Sequence, residues 1–172
     1  MEIMKKNHFI LWVTLLLVLP YSCKFNISLT GSSINPNAKT VSIATFPNNA
    51  SLGNPSLSQE FTNALKDKIQ NQTPLTIINS NGDYALEGEI TGYTINPVAI
   101  QGNDIAAMNR LTITIRVRFT NKFDETLNFE QSFSRYTDYS STTNLTSVEN
   151  SLVATINEAL TDDIFNRAFV NW

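Results

Sequence analysis

The chain has few of the residues that carry most enzymatic chemistry, with one cysteine and one histidine in 172 residues. Both lie near the start, as His8 and Cys23, and His8 falls within an apolar segment. If that segment is removed and Cys23 is acylated, the chain keeps neither an imidazole nor a thiol. This excludes Ser-His-Asp and Cys-His catalysis, histidine-ligated zinc and thiolate metal sites. Carboxylates are then the groups left for acid–base chemistry.

Glycine and positive charge are also scarce. The six glycines are scattered singly, so there is no glycine-rich phosphate loop. The chain has 12 basic and 15 acidic residues, and Lys5, Lys6 and Glu2 belong to the N-terminal segment. Without that segment, 10 basic residues stand against 14 acidic ones, a net charge of −4. We therefore predict no nucleic-acid partner, no metal and no cofactor.

One long hydrophobic run is present, from Phe9 to Leu19, behind Lys5 and Lys6. As a helix it would be about 16 Å long at ~1.5 Å per residue, whereas the hydrocarbon core of a bilayer is ~30 Å thick. The run is too short to span a membrane comfortably. We interpret residues 1–22 as an export signal that is removed on maturation.

Cys23 follows this signal directly, and we predict that it is a lipid attachment site. Ser22 fits the small residue that precedes the acylated cysteine in bacterial lipoprotein signals, while Pro20 stands where leucine is usual. The alternative is an ordinary secretory signal followed by a free thiol, which would be a liability in an oxidising compartment. Acyl chains such as palmitate anchor firmly, at about 0.8 kcal/mol per buried methylene. Residues 23–38 would form the lipidated N-terminus and tether, and residues 39–172 a single domain.

Hydrophobic periodicity predicts the order strand, helix, short strand, three-strand meander, helix. The predicted strands are Lys39–Phe46, Leu75–Ile78, Tyr84–Ile95, Arg110–Thr120 and Leu127–Tyr136. The predicted helices are about Ser56–Asn71 and Ser147–Ala168, with capping boxes formed by Ser56 with Gln59 and by Thr146 with Glu149. The fold class is α+β, a two-layer sandwich in which a mixed or antiparallel sheet carries both helices on one face.

Two strands define the faces of this sheet. Between Arg110 and Thr120 apolar and polar residues alternate strictly, which is typical of a strand with one face on a core and one toward water or a partner. In the strand that begins at Tyr84, we predict Glu87, Glu89, Thr91 and Tyr93 on the outer face. The same alternation predicts Leu86, Gly88, Ile90 and Gly92 on the inner face.

Four arginines are candidate ligand-binding residues: Arg110, Arg116, Arg118 and Arg135. Guanidinium groups suit bidentate recognition of phosphates, such as those of lipid A. Strand parity places Arg135 with Phe133, so it lies at the end of the core face or is turned out by a bulge. In the alternative interpretation the arginines pair across strands as surface ladders. Their partners would then be Glu87, Glu89 and Glu130.

Two further candidates remain. The loop that begins at Asn96 is apolar at Val98, Ala99 and Ile100, which indicates a partner contact or a segment folded back over the core. The carboxylate pairs that are candidates for hydrolysis are Glu87 with Glu89, Asp124 with Glu125 and Asp162 with Asp163. These also fit a solvated strand face, a turn and the polar side of a helix. We predict no catalytic residue and no enzyme.

Several segments resemble the LptE lipoproteins of lipopolysaccharide assembly, in the branch found in Bacteroidota. They are residues 39–48, 57–69, 87–93, 97–103, 109–121, 129–136 and 164–172. The resemblance implies a small, non-enzymatic α+β lipoprotein that plugs the lumen of the LptD β-barrel in a 1:1 complex. Such a protein assists assembly of the barrel and takes part in lipopolysaccharide transport and insertion into the outer leaflet.

The resemblance also implies a location. In Bacteroidota an acidic run after the acylated cysteine resembles a surface-export signal, and no such run follows Cys23. We therefore expect a lipid-anchored protein of the outer membrane that faces the periplasm and the barrel lumen. The alternative is a free-standing periplasmic lipoprotein that binds lipid or glycan, which needs no barrel.

Overall fold

A computed structural model describes residues 34–52, 54–98 and 108–170 of the chain. The predictions for the signal peptide, Cys23, the first part of the tether, Ala99, Ile100 and the last two residues lie outside these ranges. The strands are β1 (Thr40–Ile43), β2 (Thr76–Ile78), β3 (Tyr84–Val98), β4 (Met108–Asn121) and β5 (Phe129–Ser140). The helices are α1 (Leu57–Gln72) and α2 (Leu145–Phe169), with a short 3-10 helix at Glu125–Leu127.

The strands form one five-stranded sheet in the order β2-β1-β3-β4-β5. Strand β1 runs parallel to both β2 and β3, and β3, β4 and β5 form an antiparallel meander. Aromatic contacts and one continuous apolar cluster join the helices to a single face of the sheet. The predicted α+β sandwich with a mixed sheet is confirmed.

The alternation in β4 builds the centre of the core, as predicted. Its five inward side chains are at most 1% exposed: Leu111, Ile113, Ile115, Val117 and Phe119. Helix α1 packs Leu57, Phe61, Leu65 and Ile69 against this face, all fully buried. Full burial of one such side chain stabilises a fold by about 1.5–3 kcal/mol. The opposite face of β3, β4 and β5 is therefore free to carry polar residues.

Strand β3 contains an irregularity that the alternation did not predict. The pairing of β3 with β4 shifts register between Ile90 and Gly92, so Thr91 is an extra residue. Beyond it the faces exchange: Tyr93 turns into the core, where it is 4% exposed, and Gly92 lies opposite Thr114 on the outer face. The predicted placement of Gly92 and Tyr93 was wrong, because one inserted residue reverses a period-two pattern.

The starts of the two helices also differ from prediction. Neither Gln59 nor Glu149 completes a capping box. Ser56 is the N-cap of α1, as predicted, but its side chain accepts from no backbone N–H of the helix, and its own N–H donates to Asn54 Oδ1 at 2.9 Å. Asn144 is the N-cap of α2 in place of Thr146, and its side chain accepts from the N–H two residues further on at 3.1 Å. Both helices begin within two residues of the predicted positions.

The Asp83 side chain, just before β3, forms hydrogen bonds to the beginning of β1. Its carboxylate accepts hydrogen bonds from the backbone N–H groups of Lys39 and Thr40 at 2.9 and 3.0 Å, and from the Thr40 hydroxyl at 3.0 Å. The bond from Lys39, followed by that from the Thr40 hydroxyl, lowers the pKa of Asp83. Just ahead of β1, Ala38 is buried and Ile34 packs on the core, so the described end of the predicted tether contacts the domain.

Candidate functional site

The face of the sheet turned away from the helices, here called the open face, is polar along its whole length. Strand β4 contributes Arg110, Thr112, Thr114, Arg116 and Arg118 to it. Strand β5 places Asp138, Tyr136, Ser134, Ser132 and Glu130 beside them in that order. The Thr114 and Ser134 hydroxyls lie 3.0 Å apart at the centre. The open face therefore has a hydroxyl-rich middle with arginine–carboxylate pairs toward both ends.

Arg110 is held firmly at one end of the open face. Its Nε and Nη2 donate to the two carboxylate oxygens of Asp138 at 2.7 and 2.9 Å. The guanidinium also lies 3.6 Å from the ring centroid of Tyr136, a cation–π contact. The hydrogen bond between the two groups lowers the pKa of Asp138 and raises that of Arg110. Arg110 is thus committed to partners within the chain.

Arg116 and Arg118 are held less firmly at the other end. Arg116 donates to Glu89 at 3.3 Å, and Arg118 to Glu130 at 3.0 and 3.2 Å. Their side chains are 52% and 60% exposed. Exposed ion pairs contribute only about 0–1 kcal/mol, so a solute anion can displace these carboxylates at small cost. The predicted surface ladder is confirmed for Glu89 and Glu130.

The two arginines border a cavity of about 370 Å³ on the open face. Glu87 lines the same cavity and has no ion-pair or hydrogen-bond partner within the described part of the chain. Gly88 lines the cavity with its backbone, while a Cβ on it would point to the core side of the sheet, 2.5 Å from the buried Phe46 ring. The cavity therefore offers guanidinium N–H donors and a free carboxylate side by side.

Arg135 lies on the other side of the sheet. It is opposite Ile113 in the β4–β5 register, so strand parity holds without a bulge. Its Nε and Nη2 each donate to a carboxylate oxygen of Asp163 on α2 at 2.5 Å, which raises the pKa of Arg135. The structure brings Arg110, Arg116 and Arg118 to one face and separates Arg135 from them.

Each predicted carboxylate pair has at least one member with a structural partner. Asp162 forms an ion pair with Lys68, and Asp163 holds Arg135. Asp124 accepts from the backbone N–H of Thr126 at 3.0 Å and caps the 3-10 helix. Glu89 is bound by Arg116 and also accepts from Asn49 at 2.6 Å.

The remaining predicted site residue in the described ranges is Val98. It is half-buried at the end of β3, opposite Met108. The described ranges contain no group of three or more histidine, cysteine, aspartate or glutamate side chains that could hold a metal ion. No helix within them is long and apolar enough to cross a bilayer.

Two residues of the open face were missed by the sequence analysis, Tyr136 and Asp138. Their contact with Arg110 depends on the register of the β4–β5 hairpin. The position of the turn sets that register, because paired residues on the two strands lie equally far along the chain from its centre, which is near Asp124. The signal was present in the sequence, but only a correct turn assignment exposes it.

Comparison with known proteins supplies the identity of the fold. The family model described as "LptE: Lipopolysaccharide-assembly" matches residues 38–168. A search of curated proteins gives no match. Among solved structures, a minor lipoprotein of Acinetobacter baumannii has a TM-score of 0.50 at 14% identity, covering 76% of this chain and 91% of that chain.

Two other structures are similar. Rare lipoprotein B of Shewanella oneidensis has a TM-score of 0.51 at 12% identity, covering 74% of this chain and 92% of that chain. A hypothetical protein of Chlamydia trachomatis has a TM-score of 0.54 at 10% identity, covering 76% and 95%. At these identities the structures share the fold alone. Because the family model covers most of the chain, the protein belongs to the LptE family of lipopolysaccharide-assembly proteins.

Proposed function

We propose that this protein is a non-catalytic lipoprotein of the outer membrane that plugs the LptD β-barrel in a 1:1 complex. It assists assembly of the barrel and takes part in lipopolysaccharide transport and insertion into the outer leaflet. The observation that carries the proposal is the family match over residues 38–168. Acylated Cys23 anchors the protein, which faces the periplasm and the barrel lumen.

The polar open face is consistent with this role. The interior of an outer-membrane barrel is lined by polar residues and water. A plug therefore needs a hydrophilic outer surface, with its apolar residues buried in a core of its own. Here the helices cover one face of the sheet, and hydroxyl, guanidinium and carboxylate groups cover the other. Val98 at the end of β3, with Ala99 and Ile100, provides a further contact with the partner.

Lipopolysaccharide would be contacted through its phosphates. Arg116 and Arg118 are the donors, because both side chains are more than half exposed and ion pairs of this kind contribute little stability. Arg110 keeps its contacts with Asp138 and Tyr136 and therefore contributes to the surface without binding a phosphate itself. The free carboxylate of Glu87 favours a ligand that also carries an amine or hydroxyl group beside its phosphate.

Depletion tests the proposal. When the protein is removed from cells, we expect lipopolysaccharide to stop reaching the cell surface and the amount of correctly assembled barrel to fall. Supplying the wild-type chain restores both, whereas Cys23→Ala, which cannot be acylated, restores neither fully. Normal surface lipopolysaccharide after complete depletion contradicts the proposal.

A free-standing periplasmic lipid- or glycan-binding protein is the second candidate. The observation that favours it is the open-face cavity of about 370 Å³, which holds donors and acceptors without any partner chain. This candidate requires a stable monomer, once the anchor is deleted, that binds lipopolysaccharide in the absence of any barrel. It also requires normal barrel assembly after depletion.

A further inference from the structure

A groove of about 720 Å³ runs between α1 and α2, lined only by residues of these two helices. Lys68 near the end of α1 forms an ion pair with Asp162 in the last third of α2, at one end of the groove. The small side chains of Ala64 and Ala154 line the groove, which leaves room for an inserted chain. The groove is separate from the open face, on the opposite layer of the sandwich.

Asn157 gives the groove an unsatisfied hydrogen-bonding group. The residue is 4% exposed and lines the groove, and its Oδ1 has no hydrogen-bond partner among the described residues. Buried polar atoms are nearly always paired, because an unpaired one loses its hydration and gains nothing in return. A donor or acceptor from outside the described chain is therefore expected here.

The charge of the groove restricts the occupant. Glu60, Asp67 and Glu158 line it, and neither Asp67 nor Glu158 has an ion-pair partner in the described ranges. Its basic residue, Lys68, is already neutralised by Asp162. Phosphates would be repelled by this surface, and an acyl chain would leave the carboxylates and the amide unsatisfied. A cationic, N–H-bearing segment fits both features.

We propose that this groove receives a basic polypeptide segment of the β-barrel partner. A Lys or Arg side chain of that segment lies between Asp67 and Glu158, and one of its N–H groups donates to Asn157 Oδ1 once the amide, which is closed to water in the free chain, turns toward the groove. This inference rests on the proposed function, and it names the surface through which the plug holds the barrel.

A charge reversal in the full, anchored chain tests the inference. Glu158→Lys is compared with Glu125→Lys, which makes the same change at an exposed glutamate of the 3-10 helix, far along the chain from the groove. After detergent extraction, we expect Glu158→Lys to lower recovery of the barrel about tenfold or more, because an attraction becomes a repulsion. Glu125→Lys leaves recovery within about twofold of wild type.

A second variant keeps the test independent of folding. Asn157→Leu removes the amide and keeps a similar volume, so the isolated protein should melt at the same temperature or higher while barrel recovery falls. Recovery equal to wild type for both Glu158→Lys and Asn157→Leu overturns the inference and leaves the proposed function standing. If the wild-type chain itself recovers no barrel, the proposed function fails instead.

Discussion

Removing two guanidinium groups from the open face should weaken lipopolysaccharide binding strongly. In the variant Arg116→Ala/Arg118→Ala, the donors beside the cavity are lost, while Arg110 and its partners remain in place. Truncation of side chains that are 52% and 60% exposed leaves the core untouched, so the fold should be preserved. The loss then reports on ligand contacts.

The magnitude follows from the contacts of each arginine. A hydrogen bond to a charged group contributes about 1.5–3 kcal/mol, and displacing a resident exposed carboxylate costs about 0–1 kcal/mol. Each arginine therefore contributes about 0.5–3 kcal/mol net, and the middle of that range, about 1–2 kcal/mol each, gives about 2–4 kcal/mol for both together. Since 1.4 kcal/mol is a tenfold change in Kd, we expect Kd to rise about 30-fold or more.

The matched control is Arg135→Ala. It removes one positive charge, against two in the double variant, from a side chain that is 50% exposed on the opposite side of the sheet. Kd for lipopolysaccharide is measured by titrating the detergent-solubilised full chain, at low and at high salt. Arg135→Ala should change Kd less than about threefold, since only long-range, screened attraction is lost. Equal weakening by both variants, or no weakening by the double variant, refutes the phosphate contact.

Three other substitutions test the fold. Leu160→Ala should lower the free energy of unfolding by about 2–5 kcal/mol in urea, because Leu160 is fully buried, and a loss below about 1 kcal/mol would contradict the packing. Tyr93→Phe deletes a part-buried hydroxyl that donates to Glu149 at 2.8 Å and should lower the free energy of unfolding by about 1 kcal/mol; no loss would argue against that hydrogen bond. The lowered pKa of Asp83 means that its carboxylate stabilises the fold above its unfolded pKa and loses this effect as pH falls through the folded pKa. Asp83→Asn should therefore melt below wild type at neutral pH, with a gap that closes below about pH 4; a gap independent of pH would exclude this linkage.

The sequence was sufficient for the parts of the fold that one strand or helix determines alone. The alternation in β4 assigned both faces of the sheet correctly, because side chains in a strand must point to opposite sides. For the same reason, the alternation in β5 correctly placed Arg135 on the face of the sheet that the helices cover. The bulge at Thr91 was not predicted, because a bulge depends on how two strands pair and the alternation within one strand does not reveal it.

The site was only partly predictable because its contacts join distant parts of the chain. The pairing of Arg110 with Asp138 depends on the hairpin register, and the groove depends on which flanks of two helices meet. Asn157 is the clearest case. In the sequence it is one of several polar residues of a helix, and only packing against α1 buries it with its Oδ1 unpaired.

Quantitative purification of the native complex tests the central claim most directly. The anchored protein is extracted from outer membranes with mild detergent, captured through an affinity tag at its C-terminus, and the amounts of all recovered chains are measured. We predict a large β-barrel in a 1:1 ratio that survives high salt. Recovery of the protein without a barrel, under conditions that keep other outer-membrane complexes intact, would contradict the account.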